Sequence, residues 1–359
     1  MSVHRESAYC LAAAAWLSWT LSCLVNPRTD GFVIDAHNAG PKSELVSSQE
    51  SNDGINTMNE RPASETRPPK SESDLRFWLE NMAWYHRYSI DEMSNVTDLP
   101  ADEIEKSLTR LRILPERRPV RTRGDRLRVL PYPGGRHPRI GFLDGAVNPQ
   151  RDTKFSVFAP WDDTSYAVVD LPEAIWSNLG LTYLAHTHVP TIWSALGTEL
   201  RKLEWKRSRD GSLTSERTLP NGIAFGATVV PGTAGVAMEL WLKNGTMEQL
   251  SDLRIQNCVM LKGMAGFEQQ TNDNKVFDTP FVACHNSDGS RWIITAWERC
   301  FHAWGNAPCP CLHSDPKFPD CAPGKTVRLH GWVSFYEGRD IELELLRLKK
   351  CLPLAKDTL

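Results

Sequence analysis

VAMELWLKN, residues 236–244, is the stretch that decides the fold class. Its apolar residues fall at every second position: Val236, Met238, Leu240 and Leu242. Successive side chains of a strand point to opposite faces, so a period of two marks a half-buried strand and not a helix. Apolar, β-branched runs of similar length recur from about Arg126 to Lys349, among them KFSVFAP, SYAVVDL, LRIQNCVML, RWIITAW and VRLHGWVSFY. The pairs Asp210-Gly211, Asn221-Gly222, Asn244-Gly245 and Asp288-Gly289 lie between several of them and favour tight turns. The only helical signal in this region is a short turn expected over PEAIWSNLG, Pro172–Gly180. The pattern predicts a mainly β chain, a large antiparallel β-sandwich over 126–350 with a tail at 351–359.

Upstream the period changes. Leu75, Trp78, Leu79 and Met82 recur at helical spacing. Ser89 followed by Glu92 is a capping box that opens a second helix, expected to reach about Val96. Pro100, with Asp102 and Glu103 behind it, opens a third, whose Ile104, Leu108 and Leu111 share one face. Residues 74–113 therefore read as a small helical hairpin resembling a helix-turn-helix, followed by a basic linker at 114–125. Nine Lys/Arg lie between Lys106 and Arg128 against two acids, Glu116 and Asp125. The candidate recognition helix, however, begins with Asp102, Glu103 and Glu105, the wrong sign for phosphate. With a formal net charge of −3 as well, nucleic acid is not an expected partner.

Residues 1–25 combine His4 and Arg5 with AYCLAAAAWLSWTLSCLV, a charged start and a short apolar core that read as an export signal. TLSC ending at Cys23 is a poor lipoprotein box, and the other reading of the segment is a mis-assigned start codon. Export to the periplasm or envelope is the expectation, cytoplasmic the alternative. Nothing beyond this segment is expected to anchor the chain in a membrane. Residues 26–73, rich in Ser, Asn, Glu, Pro and Thr, hold one aromatic residue, Phe32, and are expected to form a disordered linker.

Two stretches could carry chemistry. In YLAHTHVPTIW, His186 and His188 are two apart on a strand and share a face, a natural pair of metal ligands or an acid beside a binding group; local hydrogen bonding alone is the other reading. CPCLHSDPKFPDC, Cys309–Cys321, sets Cys309, Cys311, His313 and Cys321 among prolines that hold the backbone extended. Those four would suit tetrahedral zinc or another divalent metal, although the spacing is not that of a Cys-x-x-Cys knuckle. Disulfides to Cys300 or Cys284, or free thiols, remain open. His186 and His188 with His313 or Asp315 would instead leave a position for water. Glu239 and Glu298 are candidate general bases, and His186 and His188 candidate acids. Of the thirteen tryptophans, Trp193, Trp297 and Trp304 are the candidate stacking surfaces, with Asp315 beside them.

The segments LPYPGGRHPRIGFLDGAVNPQRDTKFSVFAPWDDTSY, VVDLPEAIWSNLGLTYLAHTHVPTIW, QTNDNKVF and CPCLHSDPKFPDC resemble an uncharacterised bacterial protein family of the planctomycete type, a resemblance that implies no reaction. NGIAFGATVVPGTAGVAMELWLKNGTMEQLSDLRIQNCVMLKG and CAPGKTVRLHGWVSFYEG are similar to parts of the galactose-mutarotase-like supersandwich. That class mostly handles carbohydrates with a carboxylate base and histidines, which would give those roles to Glu239, His186 and His188. The expectation is an exported β-sandwich that binds or processes a carbohydrate or other small polar ligand at a His/Cys-rich, metal-holding site. The alternatives are a non-enzymatic envelope protein stapled by its cysteine loop, or an intracellular regulator that uses the helical pair and basic arm.

Overall fold

The computed structural model describes residues 66–140, 152–185 and 189–352. Helix α1 (Glu72–Glu80) runs into a π-helical turn (Asn81–His86), then α2 (Ile90–Thr97) and α3 (Ala101–Arg110). The capping box at Ser89 and Glu92 is present, and Pro100 caps α3. Fifteen strands follow: β1 (Val129–Pro131), β2 (Lys154–Ala159), β3 (Asp162–Ser177), β4 (Gly180–Leu184), β5 (Lys206–Arg207), β6 (Leu213–Thr218), β7 (Ala224–Pro231), β8 (Gly235–Lys243), β9 (Ile255–Met260), β10 (Lys275–Asp278), β11 (Phe281–His285), β12 (Arg291–Trp297), β13 (Cys300–Asn306), β14 (Cys311–Pro316) and β15 (Thr326–Glu337). Helix α4 (Ile341–Cys351) closes the described chain.

The strands form two antiparallel sheets. One has the order β1-β2-β3-β9-β14-β13, with β4 paired to β3; the other runs β10-β11-β12-β15-β8-β7-β6-β5. Their inner faces share one core, to which β8 contributes Val236, Met238, Leu240 and Leu242, the residues whose alternation predicted it. A smaller cluster on the outer face of the eight-stranded sheet seats Ile341, Leu345 and Leu348 of α4 on Phe281, Trp292 and Ile294.

Several expectations are corrected. PEAIWSNLG is not helical: β3 runs through Pro172 to Ser177 and pairs with both β4 and β9, so its ladder bonds outweigh the local turn propensity. The end of the 126–350 sandwich is helical, because Ile341, Leu345 and Leu348 form an apolar stripe behind an Asp340 cap. Within CPCLHSDPKFPDC the extended backbone expected from the prolines is strand β14, six of the thirteen residues, with Pro310 preceding it and Pro316 ending it. Residues 66–73, placed in the linker from composition, hold Arg67. It is buried beneath the hairpin, ion-paired to Glu204 at 3.0 Å and stacked 3.8 Å over Trp78. Basic residue Arg121 is likewise ion-paired, to Asp163, and donates to the carbonyls of Ala159 and Pro160. The segments expected to be an export signal and the rest of a linker, and the tail beyond Leu352, lie outside the described residues.

Candidate functional site

The outer face of the seven-stranded sheet carries a polar row that crosses five strands. Register pairs Lys154 of β2 with Asp170 of β3, and Asp170 with Cys258 of β9. The β9–β14 register, carried on from Met260–Cys311 and Val259–Leu312, sets His313 opposite Cys258, and His313 pairs with Trp304 of β13. Paired residues share a face, so Lys154, Asp170, Cys258, His313 and Trp304 all point outward. Charged side chains on an outer face normally face water, yet here Lys154, Asp170, His313 and Asp315 are all buried.

The register also opens a gap. The β9–β14 ladder holds at Cys311–Met260 and Leu312–Val259 and resumes as a bridge at Arg254–Lys317. Between them two side chains take the place of the partner strand. His313 Nδ1 donates to the Asn257 carbonyl at 2.8 Å, and the Asn257 N–H donates to Asp315 Oδ1 at 3.1 Å. Asp315 Oδ2 accepts from the Trp304 indole N–H at 2.7 Å and lies 4.0 Å from His302 Nδ1. The rings of His302, Trp304 and His313 stack in series, with centroids 5.6 and 3.9 Å apart. The series grades from His302, 57% exposed, to His313, at 2%.

The electrostatics follow from this burial. Burial pushes the Asp315 carboxyl up to about 6, against the pull of His313 and the Trp304 hydrogen bond. Burial lowers His313, but the neighbouring Cys258 thiol and the carboxylates Asp315 and Glu173 outweigh it and hold the imidazole at about 9. His302 is lowered by burial and by His313. Arg139 donates to Glu173 and, at 3.4 Å, to Cys258 Sγ; Glu173 also accepts from Gln256 at 2.9 Å. Cys258, Cys311 and His313, all buried, bring their ligand atoms within 4.8 Å of one another, a group that could hold a metal ion. On the same face a cavity of about 230 Å3 opens among Tyr132, Arg136, His137, Tyr166 and Lys262.

No protein-family model matches the chain, and no curated protein matches its sequence. Solved structures do match. The likeness is one of fold. A protein assigned as a kojibiose phosphorylase from the human microbiome is 6% identical, with a TM-score of 0.33 over 56% of this chain and 28% of that one. The heparan sulfate lyase HepC mutant from Pedobacter heparinus is 10% identical, with a TM-score of 0.28 over 54% of this chain and 35% of that one. A protein assigned as an aldose 1-epimerase from Klebsiella pneumoniae is 9% identical, with a TM-score of 0.24 over 60% and 61%. The matched region thus spans well under half of the first two structures. The resemblance to the epimerase fold is weak, and at these scores it carries no argument about reaction or substrate.

Trp304, Asp315, Cys311 and His313 meet on the outer face, with half-buried Cys309 at its margin. His186 and His188 lie outside the described residues. Cys321 is elsewhere, in the core between the sheets, bridged to Leu250. Cys258, Cys284, Cys300, Cys309, Cys311 and Cys321 are all free thiols, so the disulfide from the cysteine segment to Cys300 or Cys284 is absent. Trp193 and Trp297 are core residues, too buried to serve as open stacking surfaces; the Trp193 indole donates to the Thr182 carbonyl. Cys258, Arg139 and Glu173 were missed in the sequence. LRIQNCVML reads only as a strand until its register is known.

Glu239 and Glu298 converge elsewhere, at the eight-stranded sheet, on a histidine that the sequence reading passed over. His330 on β15 lies opposite Glu239 on β8, 3.6 Å from its carboxylate, and hydrogen-bonds Glu298 at 2.8 Å through Nδ1. Arg328 also pairs with Glu239. The hydrogen bonds to Glu239 and Glu298 raise the His330 imidazole from 6.5 to about 9. The folded state thus holds this proton more tightly than the unfolded chain. The stabilisation is complete below pH 6.5 and is lost as pH rises through about 9. Thermal unfolding across that interval should show a steeper alkaline loss for the native chain than for His330→Gln. Equal slopes would show that the imidazole is not held by the two carboxylates.

Proposed function

We propose that the outer face of the seven-stranded sheet binds a small hydroxyl-bearing ligand of the carbohydrate class and moves a proton on it. The observation that carries this reading is the pairing of Asp315 with His302 at the mouth of the stack. Asp315 is a buried carboxyl held near pH 6 and fixed by the Trp304 indole; His302 is an exposed imidazole 4.0 Å away. A buried carboxyl raised by burial beside an exposed imidazole suits a general acid and a general base. Arg139 supports the reading as a positioned donor: its buried Nε has no hydrogen-bond partner among the described residues, and a ligand hydroxyl would supply one. In this reading the exposed face of His302 and the edge of Trp304 form the apolar wall, and one zinc or other divalent ion, if held, lies beneath them at Cys258, Cys311 and His313. Export to the envelope belongs to the same reading.

The experiment uses free glucose, galactose and xylose as probes. Binding is followed by saturation-transfer NMR, and anomer interconversion by polarimetry. Asp315→Asn should weaken binding about tenfold, as expected for losing a charged hydrogen-bond partner, and should slow interconversion. His302→Ala should slow interconversion while leaving the fold intact. If the native chain neither binds these sugars nor speeds their interconversion, the reading fails. It fails equally if both variants behave like the native chain.

A further inference from the structure

We propose that Cys258, Cys311 and His313 form a three-ligand site for one soft divalent metal ion of the zinc class, with its fourth position open toward the ligand face. The three donors come from facing strands, all are buried, and their ligand atoms lie within 4.8 Å of one another. Two sulfurs and an imidazole nitrogen suit zinc or cobalt and do not suit magnesium or calcium, which take oxygen ligands.

The orientation of His313 is the second, independent observation. Because the Asn257 carbonyl can only accept, the hydrogen bond at 2.8 Å puts a proton on Nδ1 and leaves Nε2 for the thiols. A ligating histidine is ordinarily fixed in this way, with its other nitrogen donating to a backbone carbonyl. Arg139, donating to Cys258 Sγ at 3.4 Å, plays the matching part for a thiolate. Charge also balances. Arg139 is compensated by Glu173, so two thiolates and a divalent ion add no net charge to the buried row. Loading displaces one proton from each thiol, so affinity falls as pH falls.

The fourth position distinguishes this site from a structural cage. Cys321 lies in the core, and Cys309 falls outside the three-donor group, its carbonyl accepting from the Cys311 thiol at 2.7 Å. Among the described residues no fourth donor joins the three, and three protein ligands with an open fourth position is the set that binds water or a substrate oxygen. The inference deepens the ligand-site reading, and rests on it only for what occupies that fourth position.

The test strips the full-length protein with a chelator and titrates it with Co2+ alone. One equivalent should bind, with sulfur-to-cobalt charge transfer and the intense visible bands of a tetrahedral ion. Cys258→Ser and Cys311→Ser should each weaken binding by more than the ~10–100-fold that an outer partner is worth. Cys284→Ser and Cys321→Ser should leave it unchanged. Asp315→Asn should keep the cobalt spectrum while weakening sugar binding about tenfold, which separates failure of the metal site from failure of the ligand reading. The proposal is overturned if no ion is retained, if Cys258→Ser binds as the native chain does, or if the spectrum shows only nitrogen and oxygen ligands. Should the serine variants not fold, X-ray absorption on the zinc-loaded native protein decides: two sulfur ligands at about 2.3 Å support the site, and none overturns it.

Discussion

Lys154→Met should cost about 3–5 kcal/mol, the usual loss when one partner of a buried ion pair is removed. The Lys154 ammonium lies 2.8 Å from Asp170 Oδ2, and neither side chain reaches solvent. Burial pushes the Asp170 carboxyl up to about 6 even with the ammonium in place, and Thr153 supplies a hydrogen bond at 2.5 Å. Without the cation, the carboxyl must take up a proton or remain charged beside a methionine, and either raises the free energy of the folded state. At roughly 2–4 °C per kcal/mol for a chain of this size, the melting temperature should fall by about 10 °C. The double variant Lys154→Met/Asp170→Leu should recover most of that loss, because it removes both charges together. A loss below about 1 kcal/mol for the single variant would mean that the pair is worth no more than one at the surface.

Trp297→Ala is expected to destabilise by a similar amount, about 3–5 kcal/mol, through loss of buried surface and the cavity left behind. Trp297 heads the fully buried side chains, and its indole lies on the backbone of Gly331, its cross-strand neighbour. A Cβ at position 331 would approach the ring to 2.2 Å, so Gly331→Ala should also destabilise, by overpacking. Urea unfolding would measure both. If Trp297→Ala left stability intact and abolished sugar binding instead, Trp297 would belong to the ligand site and not to the core.

The contrast between Trp297 and Trp304 shows how far the sequence could be read. Strand identity was legible wherever one face is buried and the other wet, as in β8, because period-two alternation reports burial directly. The capping box at Ser89 was equally legible, since both partners lie within one turn. Side-chain surroundings were not. Trp297 and Trp304 both lie in the CH-rich end of the chain, seven residues apart, and only pairing with β15 and β14 sends one to the core and the other to the outer face. The polar row is the same problem on a larger scale. Cys258 and Cys311 are brought together by the β9–β14 register, and Arg139 reaches them from before β2. Helix α4 was readable from Ile341, Leu345 and Leu348, but it directly follows the long strand β15, whose pattern masked the change of period.

The gap between β9 and β14 has a consequence that amide hydrogen exchange can read. In a regular ladder a backbone N–H is shielded by another backbone, and it exchanges only when strands separate. At Asn257 the shield is a titrating side chain, Asp315 Oδ1. Protonating that carboxyl, or drawing it toward a ligand, loosens a single amide while the flanking ladder at Val259 stays closed. The Asn257 amide is therefore a built-in probe of the outer face: its protection should fall as pH drops through about 6, one residue at a time and without unfolding.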